Sequence, residues 1–368
     1  MRVALVIERF EPGRGGGEHV AWNVARELVH AGDDVHVLCR VGQSAPGTNV
    51  VRLPTPTFWQ PLRVRAFARN VHYALAGEHF DAVHSFSRTL DQDVFHVGGG
   101  SHADYMQKTY GSRGRAWRVL SPRHQTLLSL ERRIFSNPKL IAQCVSGMVQ
   151  REIADRYDVP CSRLPVIHYG VEVARFAPEN QGDAHERIRT ELGVGSEAVW
   201  LLAGSGWRRK GLDIAMEALA RVADTDTQLW VAGKDNPKQW RTIAAKLGID
   251  DRVVFLGERR DIEKIYAAAD GLLLPSRYDA FGLVCLEAAA AGLPVITNRS
   301  VGASELFKEC GTVIEHADDA VAYASAMNSL STSTERKKIG TKALAMAREH
   351  DWSEHVAKLR TLYAGIQR

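Results

Sequence analysis

The sequence predicts an α/β protein made of two Rossmann-like, doubly wound units in series. Three observations predict it. Short apolar runs alternate with helix-period segments along the whole chain. The alternation stops at Gly170–Glu197, which carries Pro178, Asn180, Gln181 and Gly182, and then begins again. A glycine-containing loop follows the first strand of each half. A length of 368 residues also exceeds one ordinary domain.

In the first half, Val3–Ile7, Val35–Cys39, Asp81–His84, Val94–Val97 and Leu140–Val145 read as strands, with helical patterns such as Glu18–His30 and Arg63–Leu75 between them. In the second half the strands are Val199–Ala203, Leu229–Ala232, Val253–Leu256, Gly271–Leu274 and Pro294–Thr297. Its helices are Asp213–Ala223, Lys238–Leu247, Asp261–Ala268 and Leu283–Ala291. The expected division is residues 1–168 and 169–351, with an amphipathic helix at 352–367 packing back onto the first unit. In open sheets of this kind ligands bind beyond the carboxyl ends of the strands, so two units facing each other would bind between them, in a cleft.

Composition narrows the classes. Apolar residues at 45% and charged residues at 24% are those of a globular chain. The five cysteines stand singly with no metal-type spacing, which suits a reducing compartment. The apolar run at the N-terminus is too short for a signal peptide and reads as a buried strand; no run is long enough to span a bilayer. The expected location is cytoplasmic. Net charge is a mild +4, and no nucleic-acid module is visible. The charge is uneven, however. Residues 102–139 hold eight Lys or Arg against Asp104 and Glu131, mixed with Tyr105, Tyr110, Trp117, Leu120 and Phe135. Such a stretch suits an anionic membrane surface; a phosphate-rich acceptor site or a plain solvated face would look the same.

Three loops carry the candidate chemistry. Pro12-Gly13-Arg14-Gly15-Gly16-Gly17-Glu18 follows the first strand and opens a helix, where Gly16 and Gly17 let backbone amides approach an anion. The dinucleotide fingerprint fails there, because Glu18 stands at the third glycine and Arg40 where an acidic ribose ligand would be. Gly204-Ser205-Gly206-Trp207-Arg208-Arg209-Lys210-Gly211 opens the second unit, and adjacent cations at a strand's carboxyl end suit a diphosphate. Tyr278-Asp279-Ala280-Phe281-Gly282-Leu283 begins the third candidate, with Asp279 and the amides of Phe281, Gly282 and Leu283 read at a helix N-terminus. Glu287 lies two turns on, about 12 Å along the axis. The alternatives are a flexible loop, a solvated basic loop, and a capping acid with a surface glutamate.

Taken together, GRGGGE, GWRRKG and the helix with acids eight apart behind PSRYDAFG resemble the retaining glycosyltransferases of family 4. The resemblance covers essentially the whole chain and implies the GT-B fold. Val199 to Gly311 is most similar to the lipopolysaccharide core glucosyltransferase I group, which adds glucose to an inner-core heptose. The resemblance implies that Gly16 and Gly17 approach the donor phosphate and sugar, and that Arg209 and Lys210 clamp the diphosphate. Glu287 would hold the ribose, Asp279 with the backbone of Phe281–Leu283 the transferred sugar, and Arg259 would flank the base. It implies hexose transfer, glucose from UDP-glucose, to a saccharide or glycolipid acceptor, with no metal and no cofactor. The leaving phosphate would accept the acceptor's proton.

Two positions depart from that pattern. Asp279 stands where the family usually has Glu, which bears on the sugar accepted. Gly98-Gly99-Gly100-Ser101-His102 replaces Gly-Asp-Gly-x-His, so Gly99 removes a carboxylate; His102 remains to bind the sugar or shuttle a proton, and Asp104 is a weaker substitute for the lost acid. Asp224-Thr225-Asp226 matches a metal-binding DxD but lies at the wrong edge of its sheet and reads as a turn, while His84 and His96 read as core. The competing functions are a nucleotide-sugar epimerase, a phosphorylase-like enzyme on the same plan, and a catalytically weak nucleotide-sugar-binding protein.

Overall fold

A computed structural model describes residues 1–13, 15–109 and 121–366. The chain divides into two compact units, one of residues 1–169 with 352–368 and the other of residues 170–351.

Unit 1 holds strands β1 (Arg2–Phe10), β2 (Asp34–Gly42), β3 (Thr48–Arg52), β4 (Ala82–Ser85), β5 (Val94–Val97) and β6 (Ile141–Cys144). All neighbours are parallel, in the order β3-β2-β1-β4-β5-β6. Helices α1 (Gly16–His30), α2 (Gln60–Leu75), α4 (Pro122–Phe135) and α5 (Gly147–Tyr157) connect or flank them, and residues 102–109 are also helical (α3). The central strands β1 and β4 are buried, and β1 is a continuous apolar run in which Val3 to Val6 are fully buried. Phe67 and Val71 of α2 pack with Val6, Leu38 and Phe80 on one side of the sheet.

Unit 2 repeats the plan. Its strands are β7 (Val199–Ala203), β8 (Gln228–Ala232), β9 (Val253–Gly257), β10 (Gly271–Leu273), β11 (Val295–Asn298) and β12 (Thr312–Ile314). Their order, β12-β11-β10-β7-β8-β9, is that of unit 1 read from the other edge. The helices are α6 (Val173–Phe176), α7 (Ala184–Glu191), α8 (Leu212–Leu219), α9 (Lys238–Leu247), α10 (Ile262–Ala268), α11 (Leu283–Ala290), α12 (Ala320–Ser329) and α13 (Ser333–Arg348). Trp200, Leu229, Leu273 and Ile296 of the sheet meet Ile214, Leu219 and Tyr323 of the helices in one core. In each sheet the winding reverses between the first and fourth strands, β1 and β4 or β7 and β10. There the loops diverge and leave room for a ligand.

Helix α14 (Trp352–Ala364) belongs to unit 1 and stops three residues short of the predicted end at 367. Arg360 Nε lies 2.9 Å from the buried Asp33 carboxylate, which also takes the N-terminal ammonium. Tyr363 Oη is 2.6 Å from His84 Nδ1, and His355 Nδ1 donates to His168 O. Both histidines read as core, His84 and His96, are buried and hydrogen-bonded. Asp224–Asp226 is a turn in which Asp224 accepts from the Asp226 amide and the Thr227 hydroxyl. Among the described residues no helix is long and apolar enough to cross a membrane.

Candidate active site

In unit 2 the loop after β7 is pinned before it reaches its cations. Trp207 is buried against Trp240 and Phe255. Asp235, after β8, accepts from the amides of Gly206 (2.8 Å) and Trp207 (3.3 Å). Lys210 is only 5% exposed and lies across Gly204, where a Cβ would meet its Cε at 2.7 Å. Gly211 has φ +74°, and a Cβ there would come within 2.0 Å of Pro275 O, so only glycine lets this loop pack on the one after β10. A solvated basic loop would show none of this.

The two loops meet because β7 and β10 are hydrogen-bonded neighbours. Arg209 Nη1 donates to Tyr278 O (2.9 Å) and lies 3.0 Å from Asp279 Oδ2; Lys210 Nζ stands 3.5 Å from the same oxygen. Burial raises the Asp279 carboxyl, but Arg209 and then Lys210 overcome it, and its pKa falls below the ordinary range. Arg277 fastens the loops from the other side: its amide donates to Arg209 O, and its guanidinium to Arg208 O and to both Asp213 oxygens.

The reading of Asp279 as a residue of the helix N-terminus is corrected. Gly282 is the N-cap and α11 begins at Leu283. Asp279 sits in the loop before it, paired through its backbone with Ser300 and Gly302. The axial distance of about 12 Å to Glu287 therefore does not apply, because the chain between Asp279 and Gly282 is not helical. The amides of Gly282 and Leu283 precede the first hydrogen bond of this turn, from Cys285 N–H to Gly282 O. The backbone of Phe281 is tied by its carbonyl to the Ala303 amide. Glu287 is half-buried and accepts from Tyr266 Oη at 2.8 Å, so it is not a casual surface acid. Arg259 donates to both oxygens of Asp261 (2.9 Å each), with Glu191 at 3.7 Å, so any contact with a base is made by a guanidinium already held in place.

In unit 1, α1 opens at Gly16, with Gly15 extended as N-cap and Glu18 in the first turn. A Cβ at Gly16 or Gly17 would meet nothing within 4 Å, so packing within the protein does not demand glycine there. Arg14 lies outside the described residues. Arg40 is paired with Glu8, which also holds Arg63.

His102 is buried at the start of α3. Its amide donates to both oxygens of Glu131 at 3.1 Å, and Glu131, 1% exposed, also accepts from Arg88 and from Tyr157 Oη. His102 Nε2 is 2.8 Å from His124 Nδ1. Burial, then the positive charge of Arg88, His124 and Arg123, brings the His102 pKa down to about 3. A ring held neutral in this way can still hydrogen-bond, and its Nε2 here faces His124. Asp104, named as a substitute for the missing carboxylate, is committed to Arg156. Asp235 and Tyr266 escape the sequence reading, while Glu131 is read only as a counter-charge and Arg277 only as part of a motif, since each acts through a partner distant along the chain.

The family described as Glycosyltransferase Family 4 matches residues 14–175, and that described as Glycosyl transferases group 1 matches residues 197–333. The chain belongs to the family 4 glycosyltransferases. This family 4 chain is similar to the lipopolysaccharide glucosyltransferase WaaG of Escherichia coli strain K12, 28% identical over 85% of each chain. It is also similar to the D-inositol 3-phosphate glycosyltransferase of Corynebacterium efficiens, 27% identical over 99% of this chain and 95% of that one. The crystal structure of WaaG, described as a glycosyltransferase involved in lipopolysaccharide biosynthesis, superposes with a TM-score of 0.84 at 25% identity, over 99% of this chain and 100% of that one. The two parallel six-stranded sheets with their helices are thus the GT-B fold.

Proposed function

We propose that this glycosyltransferase moves glucose from UDP-glucose to a saccharide or glycolipid acceptor such as lipopolysaccharide core, with retention and without a metal. One observation carries the donor half: Arg209 and Lys210 converge on a single carboxylate where β7 and β10 part, beside the amide end of α11. A diphosphate entering there meets a fork of N–H donors, an ammonium and backbone amides, and these cations stabilise the charge that builds on the leaving group. In this reading Glu287 holds the ribose, Arg259 flanks the base, and Asp279 with the Phe281–Leu283 backbone holds the sugar. Gly16, Gly17 and His102 contribute from unit 1. The leaving phosphate accepts the acceptor hydroxyl's proton as the new glycosidic bond forms and the donor bond breaks.

The glucose and the lipopolysaccharide acceptor rest on the likeness to WaaG. The inositol-phosphate glycosyltransferase, matched over nearly its whole length, favours a second reading of the acceptor with the same donor chemistry. We place the enzyme in the cytoplasm, with residues 102–139 facing an anionic membrane surface. Tyr110 to Leu120 of that stretch lie outside the described residues, and Lys108 is paired with Glu152.

Calorimetry with UDP-, GDP- and ADP-sugars tests the donor. Nucleotide release with a heptose-bearing core oligosaccharide or with inositol 3-phosphate tests the acceptor. Product anomeric configuration by NMR and turnover in chelator test retention and metal independence. Tighter binding of GDP- or ADP-sugars would overturn the UDP reading, and UDP release needing no acceptor would favour the epimerase.

A further inference from the structure

Unit 1 holds a second place where two cations share one carboxylate. Ala4 and Val6 of β1 and Leu38 of β2 lie in the core that α2 covers. Side chains alternate along a strand, so the next residues on that face are Glu8 and Arg40, side by side near the carboxyl ends of β1 and β2. Arg63, near the start of α2, completes the group. Arg40 Nε lies 3.1 Å and Arg63 Nε 2.7 Å from the same atom, Glu8 Oε1. The Glu8 amide donates to Ser87 Oγ (2.9 Å), just past β4. The group therefore borders the gap between β1 and β4, where the winding of this sheet reverses and open sheets take their ligands.

A carboxylate that only neutralises an arginine meets its fork, as Asp213 does by taking Arg277 Nη1 on one oxygen and Nη2 on the other. Glu8 instead touches both guanidinium groups through Nε. Neither arginine has another carboxylate within ion-pair distance among the described residues, and no Nη atom of either has an acceptor there. Two positive charges thus stand against one negative, and the Arg40 side chain is only 9% exposed. Like charges held together with little water are unfavourable until a further anion joins them.

We propose that Arg40 and Arg63 bind an anionic oxygen group of the acceptor, a phosphate or a carboxylate, through their Nη ends, while Glu8 holds the two side chains by Nε. Ser87 stands beside them, its hydroxyl accepting from the Glu8 amide and keeping a proton to donate. The donor's diphosphate has its cations in unit 2, Arg209 and Lys210, so the anion left for unit 1 is the acceptor's. That assignment to the acceptor rests on the sugar-transfer reading above; the anion site itself does not.

The test melts the full chain, with UDP present to fill unit 2, in rising inorganic phosphate or acetate at an ionic strength held constant with chloride. The midpoint should rise with one of the two anions, and which one tells a phosphate site from a carboxylate site. Phosphate also stabilises folded chains in general, so the readout is the difference from Arg40→Gln with Arg63→Gln. That variant should bind the anion about thirty-fold or more weakly, having lost hydrogen bonds to a charged group. Arg63→Lys, which keeps the charge without the fork, should lose less. Glu8→Gln should bind it about five-fold more tightly, because a competing unit charge is gone. Circular dichroism checks the fold of each variant, and Arg63→Lys serves alone if the double variant does not fold. In turnover, with inositol 3-phosphate or a heptose-bearing core oligosaccharide, the arginine variants should raise the acceptor KM and leave the KM for UDP-glucose unmoved. Equal responses of wild type and the arginine variants to both anions, or a Glu8→Gln variant that binds them less well, would overturn the proposal. A KM shift confined to UDP-glucose would overturn the assignment to the acceptor. The melts need no turnover, so failure of the UDP-glucose reading would show separately.

Discussion

Arg209 Nη1 and Asp279 Oδ2 stand 3.0 Å apart, and the same oxygen faces Lys210. A carboxylate expected to hold the sugar thus first holds the cations expected to hold the diphosphate. Asp279 lies 70 and 69 positions from the two adjacent cations and meets them because β7 and β10 are neighbours. An acid one methylene shorter than glutamate stays close to its own loop, and so braces the clamp from behind.

Arg209→Ala and Lys210→Ala should each lower kcat/KM by about 10²–10³, since each removes a preorganised donor from the developing charge. Nucleotide release under single-turnover conditions reads this. Arg209→Lys should recover only part of the loss, because an ammonium cannot reach Tyr278 O and a ligand oxygen together. Intact turnover in both alanine variants would remove these residues from the mechanism.

Asp279→Asn should destabilise unit 2 by about 1–3 kcal/mol, leaving a buried lysine without its charge partner. The same change with Lys210→Met should cost less than the sum of the two, as denaturant melts of a double-mutant cycle would show. Because the folded pKa of Asp279 is lowered, its contribution is present above the ordinary carboxyl range and is lost as pH falls through the folded value.

Tyr266→Phe should weaken UDP binding by about five-fold and Glu287→Ala by more, with kcat less affected than KM in both. Tyr266 is buried, its pKa is raised by burial and then by Glu287, and its hydroxyl fixes the carboxylate at 2.8 Å. Calorimetry with UDP separates this from a general loss of fold.

Unit 1 should lose stability steadily as pH falls below about 6.5. Burial holds His96 and His102 down to about 3 and His355 to about 4, and keeps His84 well below its usual value. A histidine whose folded pKa is depressed contributes nothing adverse above its unfolded value. Below it, the unfolded chain takes up a proton that the folded one refuses, at about 1.4 kcal/mol per pH unit for each ring. Denaturation midpoints at pH 7.5 and 5.5 measure the slope, and His96→Gln should flatten it.

Glu131→Ala should cost about 3–5 kcal/mol, because it strands the Arg88 guanidinium and frees the amide end of α3. Glu131→Gln keeps the shape and tests the charge alone. Its expected signature is a fall in kcat at unchanged UDP affinity, read by nucleotide release against calorimetry.

Most strands legible in the sequence are buried on both faces, with the partly exposed edge strand β9 the exception. Val3–Ile7 and Val199–Ala203 are unbroken apolar runs because parallel central strands have no wet side. The two strands that escaped, Thr48–Arg52 and Thr312–Ile314, each stand at one edge of their sheet; the opposite edges, β6 and β9, are legible because they keep apolar runs. With one edge unpaired and much of their surface in water, the two that escaped carry no such run, and Thr-Asn-Val-Val-Arg reads as a loop.

Sequence alone determined the two-unit α/β plan, the glycines that open the loops, and the pairing of Arg209 with Lys210, since period, spacing and adjacency are properties of one dimension. Tertiary structure alone decided that Asp279 braces those cations, that Tyr266 holds Glu287, that Arg259 is tied to Asp261, and that Glu131 anchors a neutral His102. Each of these is an electrostatic or hydrogen-bonded contact that acts over about 3 Å. For Asp279, Tyr266 and Glu131 the partner lies on another strand, helix or loop, and for Arg259, two residues away, it is set by the fold of its own loop. Only the packing of the elements brings such distances about.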